Sequence, residues 1–341
     1  MADFDMGMTE AIQDAIDQFM SQGVDLSNIG KTADAVEGRV KGHAVLGLQD
    51  TLAELIDGHE DDEAMPADVS DTPAAIETLQ SLATMLTEDD GARSVMAGNS
   101  GFQQLLSFVE AFSHVATAEP GDELARAGLH ATLASLAALL EGQPDLVTPP
   151  NPHSVLAQVS VNRNVQALCK PLRAFPSDPT VQLHGVQAIK HACIMHETNR
   201  QNFVAEGLVV LLLHVLTTHV ETPAAVKQAA HCLRSLVLDD DVRVAFGKAH
   251  DHAKLIVNEH NGFMAIMSAL KAWMDEPSVM IELCQTLAQL AVRNEFCQEI
   301  VSLGGLELLP VMDDPKCGHK VGENACHHDE TTVVIGIDVG A

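Results

Sequence analysis

From residue 179 onward the chain repeats one order of apolar and polar positions. Pro179–Leu216 opens on a proline and runs through an apolar helix with small residues on one side. It then breaks at the polar turn HETN, forms a shorter helix, passes a glycine and closes on LVVLLLHVL. Pro223–Gly247 continued by Asn261–Trp273, and then Pro277–Met312, follow the same order. Each proline stands at a helix start, where its missing N–H has no intrahelical partner to lose. Apolar residues recur near every 3.6 positions without strand-like alternation, so helices are predicted throughout. The opening prolines lie 44 and then 54 residues apart, and the longer interval reads as an insertion, Gly247–His260.

Two fainter copies precede these. One spans Ala74–Phe112; the other starts at Asp122 and dissolves into the Pro-rich stretch VTPPNPHSV, read as an irregular loop. Helices this lopsided cannot bury their apolar faces alone, so neighbouring copies must stack. The expected fold class is therefore all-α, a solenoid over residues 74–312. Ahead of it, residues 1–30 carry an amphipathic helix whose stripe holds Ala11, Ala15 and Phe19 beside Ile12, Ile16 and Met20. Residues 31–73 read as a flexible acidic linker, and residues 313–341 as a disordered tail.

Composition supports helix over strand: 46% of residues are hydrophobic, yet aromatic content is 3% and tyrosine is absent. The formal net charge of −29 disfavours general binding to nucleic acid or anionic lipid. The seven cysteines form no CxxC pair, and five of them (Cys169, Cys193, Cys232, Cys284, Cys297) lie in apolar helical stretches. Reduced thiols in a cytoplasmic protein, also able to reach the nucleus, are expected. The acidic start lacks the basic and apolar runs of a signal peptide, and the most apolar stretch, Leu208–Leu216, is too short to span a bilayer.

Four strings, QFMSQGVDLSNIGKTA, HETNRQNFVAEG, LDDDVRVAFGKAHDHAK and LAVRNEFCQEIVSLGGL, occur in this order. With them the chain resembles the armadillo repeat-containing protein six family from about Phe4 to Met312. The resemblance implies a right-handed superhelix of three-helix repeats and no recognised catalytic residues. Val147–Pro176 departs from the family pattern and reads as an insertion, and the residues after Met312 depart from it too.

In armadillo arrays the third helix of each repeat lines a concave groove, where a polar residue grips the backbone of an extended partner. The corresponding places here are Ser81, Ser135, His191, Ser235 and Gln289. Neighbours four positions away on the same helix faces add Glu77, Gln187, Met195, His231, Asp239, Gln285 and Arg293. This ladder is the expected binding groove, with the plain alternative that it is the solvated side of amphipathic helices. Arg200, Arg234, Arg243 and Arg293 would favour an acidic or phosphorylated partner segment, unless they pair with the many carboxylates.

The loop LDDDVRVAFGKAHDHAKLIVNEHNG gathers Asp239, Asp240, Asp241, Arg243, His250, His252 and His260 and is the candidate specificity loop on the solenoid edge. These residue types can ligate metal, but the HxH pair has no third ligand at a fixed helical offset, so no metal is expected there. Cys317, His319, Cys326, His327 and His328 do not follow a structural zinc spacing. No P-loop, GxSxG or GxGxxG after a strand is present, and no cofactor or catalytic residue is expected. The expected function is a monomeric scaffold binding a partner protein in its groove. An armadillo-type co-chaperone and a metal-dependent enzyme using the Asp/His loop are the alternatives.

Overall fold

The computed structural model describes residues 43–57, 68–148, 155–219 and 221–291, with Gln298 and Ser302 beyond them. The elements run α1 (Ala44–Leu55), β1 (Ile56–Asp57), β2 (Asp68–Val69), α2 (Thr72–Glu88), α3 (Asp90–Gly98), α4 (Gly101–Ala118) and α5 (Glu123–Leu140). A 3₁₀ turn, Pro144–Leu146, leads to α6 (Val155–Ala174), α7 (Pro179–Cys193), α8 (Glu197–Ala205), α9 (Leu208–Thr218) and α10 (Pro223–Leu236). The last are α11 (Ala249–Lys254), which runs into a π turn at Leu255–Glu259, then α12 (Gly262–Ala272) and α13 (Pro277–Leu290).

Five helices, α2, α5, α7, α10 and α13, are the third helices of successive repeats. The sequence starts them in one way. A residue with an oxygen-bearing side chain precedes a helix with proline as its first or second residue, or glutamate in α5, and at three of the five starts an aspartate caps the backbone. Asp71 accepts from Ala74 N, Asp122 from Ala125 N, and Asp178 from both Thr180 N and Val181 N. Asp178 also meets His130 Nε2 at 3.0 Å, so one cap joins α7 to α5.

Each third helix packs on the next, α2 on α5, α5 on α7, α7 on α10 and α10 on α13. The second helices α4, α6, α9 and α12 form a parallel column behind them. Leu79, Leu133, Ile189, Leu233 and Leu287 occupy one position in the five third helices, and none is more than 2% exposed. Burying each such side chain contributes roughly 1.5–3 kcal/mol, and the row recurs in every repeat. The result is one continuous core with no break between repeats. The all-α solenoid expected from the repeats is the architecture observed.

A recurring turn sets the angle between first and second helices. Ser100, Gly207 and Asn261, at equivalent places before α4, α9 and α12, all adopt left-handed backbone, with φ of 59°, 89° and 54°. Two are followed by a glycine that permits close approach. A Cβ on Gly262 would lie 2.7 Å from the carbonyl oxygen of Ile256, and one on Gly101 would lie 2.9 Å from that of Met96.

Three expectations are corrected. Part of the proposed linker is folded: α1 packs on α2 and α3, with Val45 and Leu52 fully buried, and Ile56–Asp57 pairs antiparallel with Asp68–Val69. The proposed insertion at Gly247–His260 is no loop. Its Ala253, Ile256 and Val257 are buried, and α11 with its π turn takes the place of a first helix. The stretch read as an insertion at Val147–Pro176 supplies α6, a second helix with Val161, Leu168, Cys169 and Leu172 in the core. The proposed helix in residues 1–30 and the tail 313–341 lie outside the described residues.

Gly262→Ala is expected to destabilise the full chain by roughly 1–3 kcal/mol, because its neighbour is backbone and cannot swing aside. Gly98→Ala, at a site with nothing within 4 Å, is the control and is expected to be neutral or slightly stabilising. Urea denaturation followed by circular dichroism measures both.

Candidate partner-binding face

The polar residues of the third helices divide into two sets. Ser135 is fully buried, and its hydroxyl donates to Leu79 O of the preceding third helix at 2.9 Å and to Ala131 O at 3.0 Å. His191 is buried too, with Nδ1 2.7 Å from Ala137 O of α5. Thr286 donates to Ala230 O at 2.9 Å, and Gln289 Nε2 to Val237 O at 3.4 Å. Ser235 is buried and bonds Cys232 O within α10. Exposed Ser81 bonds Glu77 O, one turn back. The proposed ladder therefore points largely into the seams between repeats. Buried polar atoms need partners, and the backbone of the previous helix supplies them before any guest can.

A second set stays accessible. Glu77 is exposed, while Gln187, His231 and Gln285 are half-buried at equivalent positions of α7, α10 and α13. One turn along lies the row Gln80, Ala134, Lys190, Arg234 and Ala288. Arg234 donates to Gln285 Oε1 and sits 3.3 Å from Glu282 Oε2. Burial, then the charges of Arg234, Lys190 and His191, push the His231 imidazole down to about 4. His191 is also lowered, first by burial and then by Lys190. This face of α7, α10 and α13 thus holds neutral imidazoles, amides and two cations. Arg293 lies outside the described residues.

The acidic triplet has another role. Arg200, on α8, is fully buried; Nε donates to Cys193 O at 2.9 Å, Nη1 reaches Glu197 Oε2 at 3.5 Å, and Leu238 O and Asp240 accept further bonds. Asp241 Oδ2 accepts from Glu197 N at 2.8 Å, and Oδ1 from Arg243 Nε at 2.8 Å. Arg243 continues to Asp145 Oδ1 at 2.8 Å and Met195 O at 3.1 Å. Hydrogen bonds from Arg243 hold the Asp241 carboxyl far below the usual range against its burial. The strings HETNRQNF and LDDDVR are the two halves of one clasp joining the turns after α5, α7 and α10.

Arg200 and Arg243, expected to face a partner, are engaged in that clasp instead. His252 of the proposed specificity loop is buried with Nδ1 2.9 Å from Leu236 O. His250 and His260 are half-buried and Asp239 is exposed. Among the described residues no three His, Cys, Asp or Glu side chains are placed to hold a metal ion. Burial pushes the Cys169 thiol up to about 12, Cys284 up to about 11, and Cys193 well above its usual value, which keeps them protonated and unreactive. A cavity of about 440 Å³ lies elsewhere, lined by Gln49, Gln103, Gln104, Glu110, Arg163 and Asn164 among others. Among the described residues no single helix is long and apolar enough to cross a membrane; the pair α8 and α9 would meet the criterion only jointly and is bent by 77°.

With this geometry in view, the comparisons are specific. The ARMC6 family model matches residues 62–325, and a model of the Armadillo repeat-containing protein 6 N-terminal domain matches residues 1–44. The chain is 33% identical over 335 residues to the orangutan (Pongo abelii) Armadillo repeat-containing protein 6, covering 98% of this chain and 61% of that protein. It is 34% identical over 310 residues to the human protein of that name, covering 90% of this chain and 55% of that one. It therefore spans roughly three fifths of the length of these relatives. Among solved structures, an engineered protein superposes with a TM-score of 0.55 at 18% identity, covering 78% of this chain and 90% of that one. A designed armadillo repeat protein in complex with the peptide (KR)4 gives 0.50 at 13% identity, covering 80% and 95%.

Arg200→Met is expected to lose about 3–5 kcal/mol, because it leaves Glu197 and Asp240 without their cation; the shift of the urea midpoint measures it. A pH series tests the histidines. Burial lowers the imidazole pKa of His191, His196 and His231 in the folded chain, while unfolded histidines protonate near pH ~6.5. Below that pH the unfolded chain binds more protons, so stability falls as pH drops from 7 towards 5. His231→Gln is expected to flatten that fall.

Proposed function

The chain belongs to the Armadillo repeat-containing protein 6 family, and from that premise we propose that it is a scaffold that holds an extended segment of a partner protein along its third helices. The observation that carries this reading is the register of Gln187, His231 and Gln285. Partly exposed amide and imidazole groups repeat at one position on three stacked helices, flanked by fully buried apolar rows. Such groups can bond the N–H and C=O groups of an extended chain, which carries no internal partners for them. A designed protein of the same fold in complex with a peptide is in keeping with it.

This reading assigns no catalytic step. Burial holds the thiols of Cys169, Cys193 and Cys284 protonated, and the most conspicuous charged cluster, around Arg200 and Asp241, is satisfied internally. The four free cysteines among the described residues are buried and fit a reducing cytoplasm or nucleus, where the scaffold would act as a monomer.

The test begins with affinity capture and continues with titration of the purified partner against wild-type and variant chains. Gln187→Trp combined with Gln285→Trp is expected to weaken binding at least tenfold with the thermal transition retained. Undiminished affinity in the folded double variant would overturn the assignment of the face.

A further inference from the structure

At −29 the chain as a whole attracts cations, and a basic partner is what its net charge alone would suggest. One row of the third helices, exposed at Gln80 and only partly accessible further along, runs against that field. Its positions are Gln80, Ala134, Lys190, Arg234 and Ala288, so the two central repeats each present a cation at the same level. The two differ in how they are satisfied. Arg234 is held by Gln285 and by Glu282 at 3.3 Å. Lys190 is 8% exposed, and among the described residues its ammonium has neither an ion pair nor a hydrogen bond. Glu141 and Glu282 are near enough to act on its charge, yet burial dominates and lowers its pKa. A partly desolvated ammonium with no carboxylate in contact destabilises the isolated fold, and methionine at the site would not.

We propose that this face selects an acidic partner segment, a carboxylate of which docks on Lys190 with Arg234 beside it. The inference rests on the third-helix reading above and names the chemistry of the guest. Lys190 supplies the charge a carboxylate needs and leaves its ammonium available for it. Arg234, steered by Glu282 and Gln285, offers its remaining donors one helix further along. The apolar walls around the row lower the local dielectric and strengthen the pair relative to one on the open surface. The surrounding negative field then acts as a filter, because an acidic segment binds only where this row meets it.

Panning a random dodecapeptide library on the full chain tests this, with counter-selection on Gln187→Trp/Gln285→Trp. Peptides that depend on the face are expected to be enriched in Asp and Glu. They should lose at least tenfold in affinity to Lys190→Gln and weaken as salt is raised. Lys190→Met is expected to lose the same peptides while its thermal midpoint stays at or above that of the wild type, a pairing that loss of fold cannot produce. Face-dependent peptides without acidic enrichment, or indifferent to Lys190→Gln, overturn this inference and leave the third-helix reading standing. If no selected peptide depends on Gln187 and Gln285, the third-helix reading fails and this inference with it.

Discussion

The contact between consecutive third helices is the constraint from which the rest of the molecule follows. Each of the interior ones, α5, α7 and α10, has a third helix on both flanks and a second helix behind, so only a narrow strip of its circumference is left over. Apolar residues fill the three covered sides, with Leu133, Ile189 and Leu233 fully buried. Buried polar residues on the flanks bond backbone carbonyls, of the neighbouring helix for Ser135, His191 and Thr286 and of their own for Ser235 and Thr132. On the strip that remains, Gln187, His231 and Gln285 stay partly accessible.

A column of this kind also needs its turns fixed, because a small error in one repeat propagates along the stack. The turns are fixed at two levels. Left-handed residues at Ser100, Gly207 and Asn261 set the entry into the second helices. At the opposite end the Arg200–Asp240 and Arg243–Asp241–Asp145 pairs bind three successive inter-repeat turns to one another. Buried charge pairs of this sort add little net stability over an apolar replacement, but they are strongly directional. Their role here is geometric: they hold α8 and the loop after α10 in one arrangement.

Much of this was legible in the sequence. The prolines at 179, 223 and 277 mark third-helix starts because proline is at home in the first turn, and the periodicity after them marks the buried sides. Two elements were hidden for physical reasons. The start of α6 is surrounded by prolines and its exposed side carries Asn162, Arg163 and Gln166, so its apolar stripe is diluted. Residues 249–259 have too few turns for a period to show, and their π turn breaks it further. The site was read less well than the fold. A helical wheel shows which residues share a face and says nothing about a second helix lying on that face, so Ser135, Ser235 and His191 were mistaken for groove residues. Arg200 and Asp240 were legible as charged but not as partners, since they lie 40 positions apart and meet only through the stack. Lys190 was missed because a lysine between apolar neighbours looks like ordinary surface until its surroundings are known.

The central claim is that the strip along α7, α10 and α13 is where a partner lies. Site-specific photo-crosslinking addresses it most directly, with a photoreactive amino acid placed at His231 on that strip and, as the comparison, at exposed Gln166 on α6 among the second helices. The account predicts a discrete protein adduct from position 231 and none from position 166. An adduct confined to position 166 would contradict it.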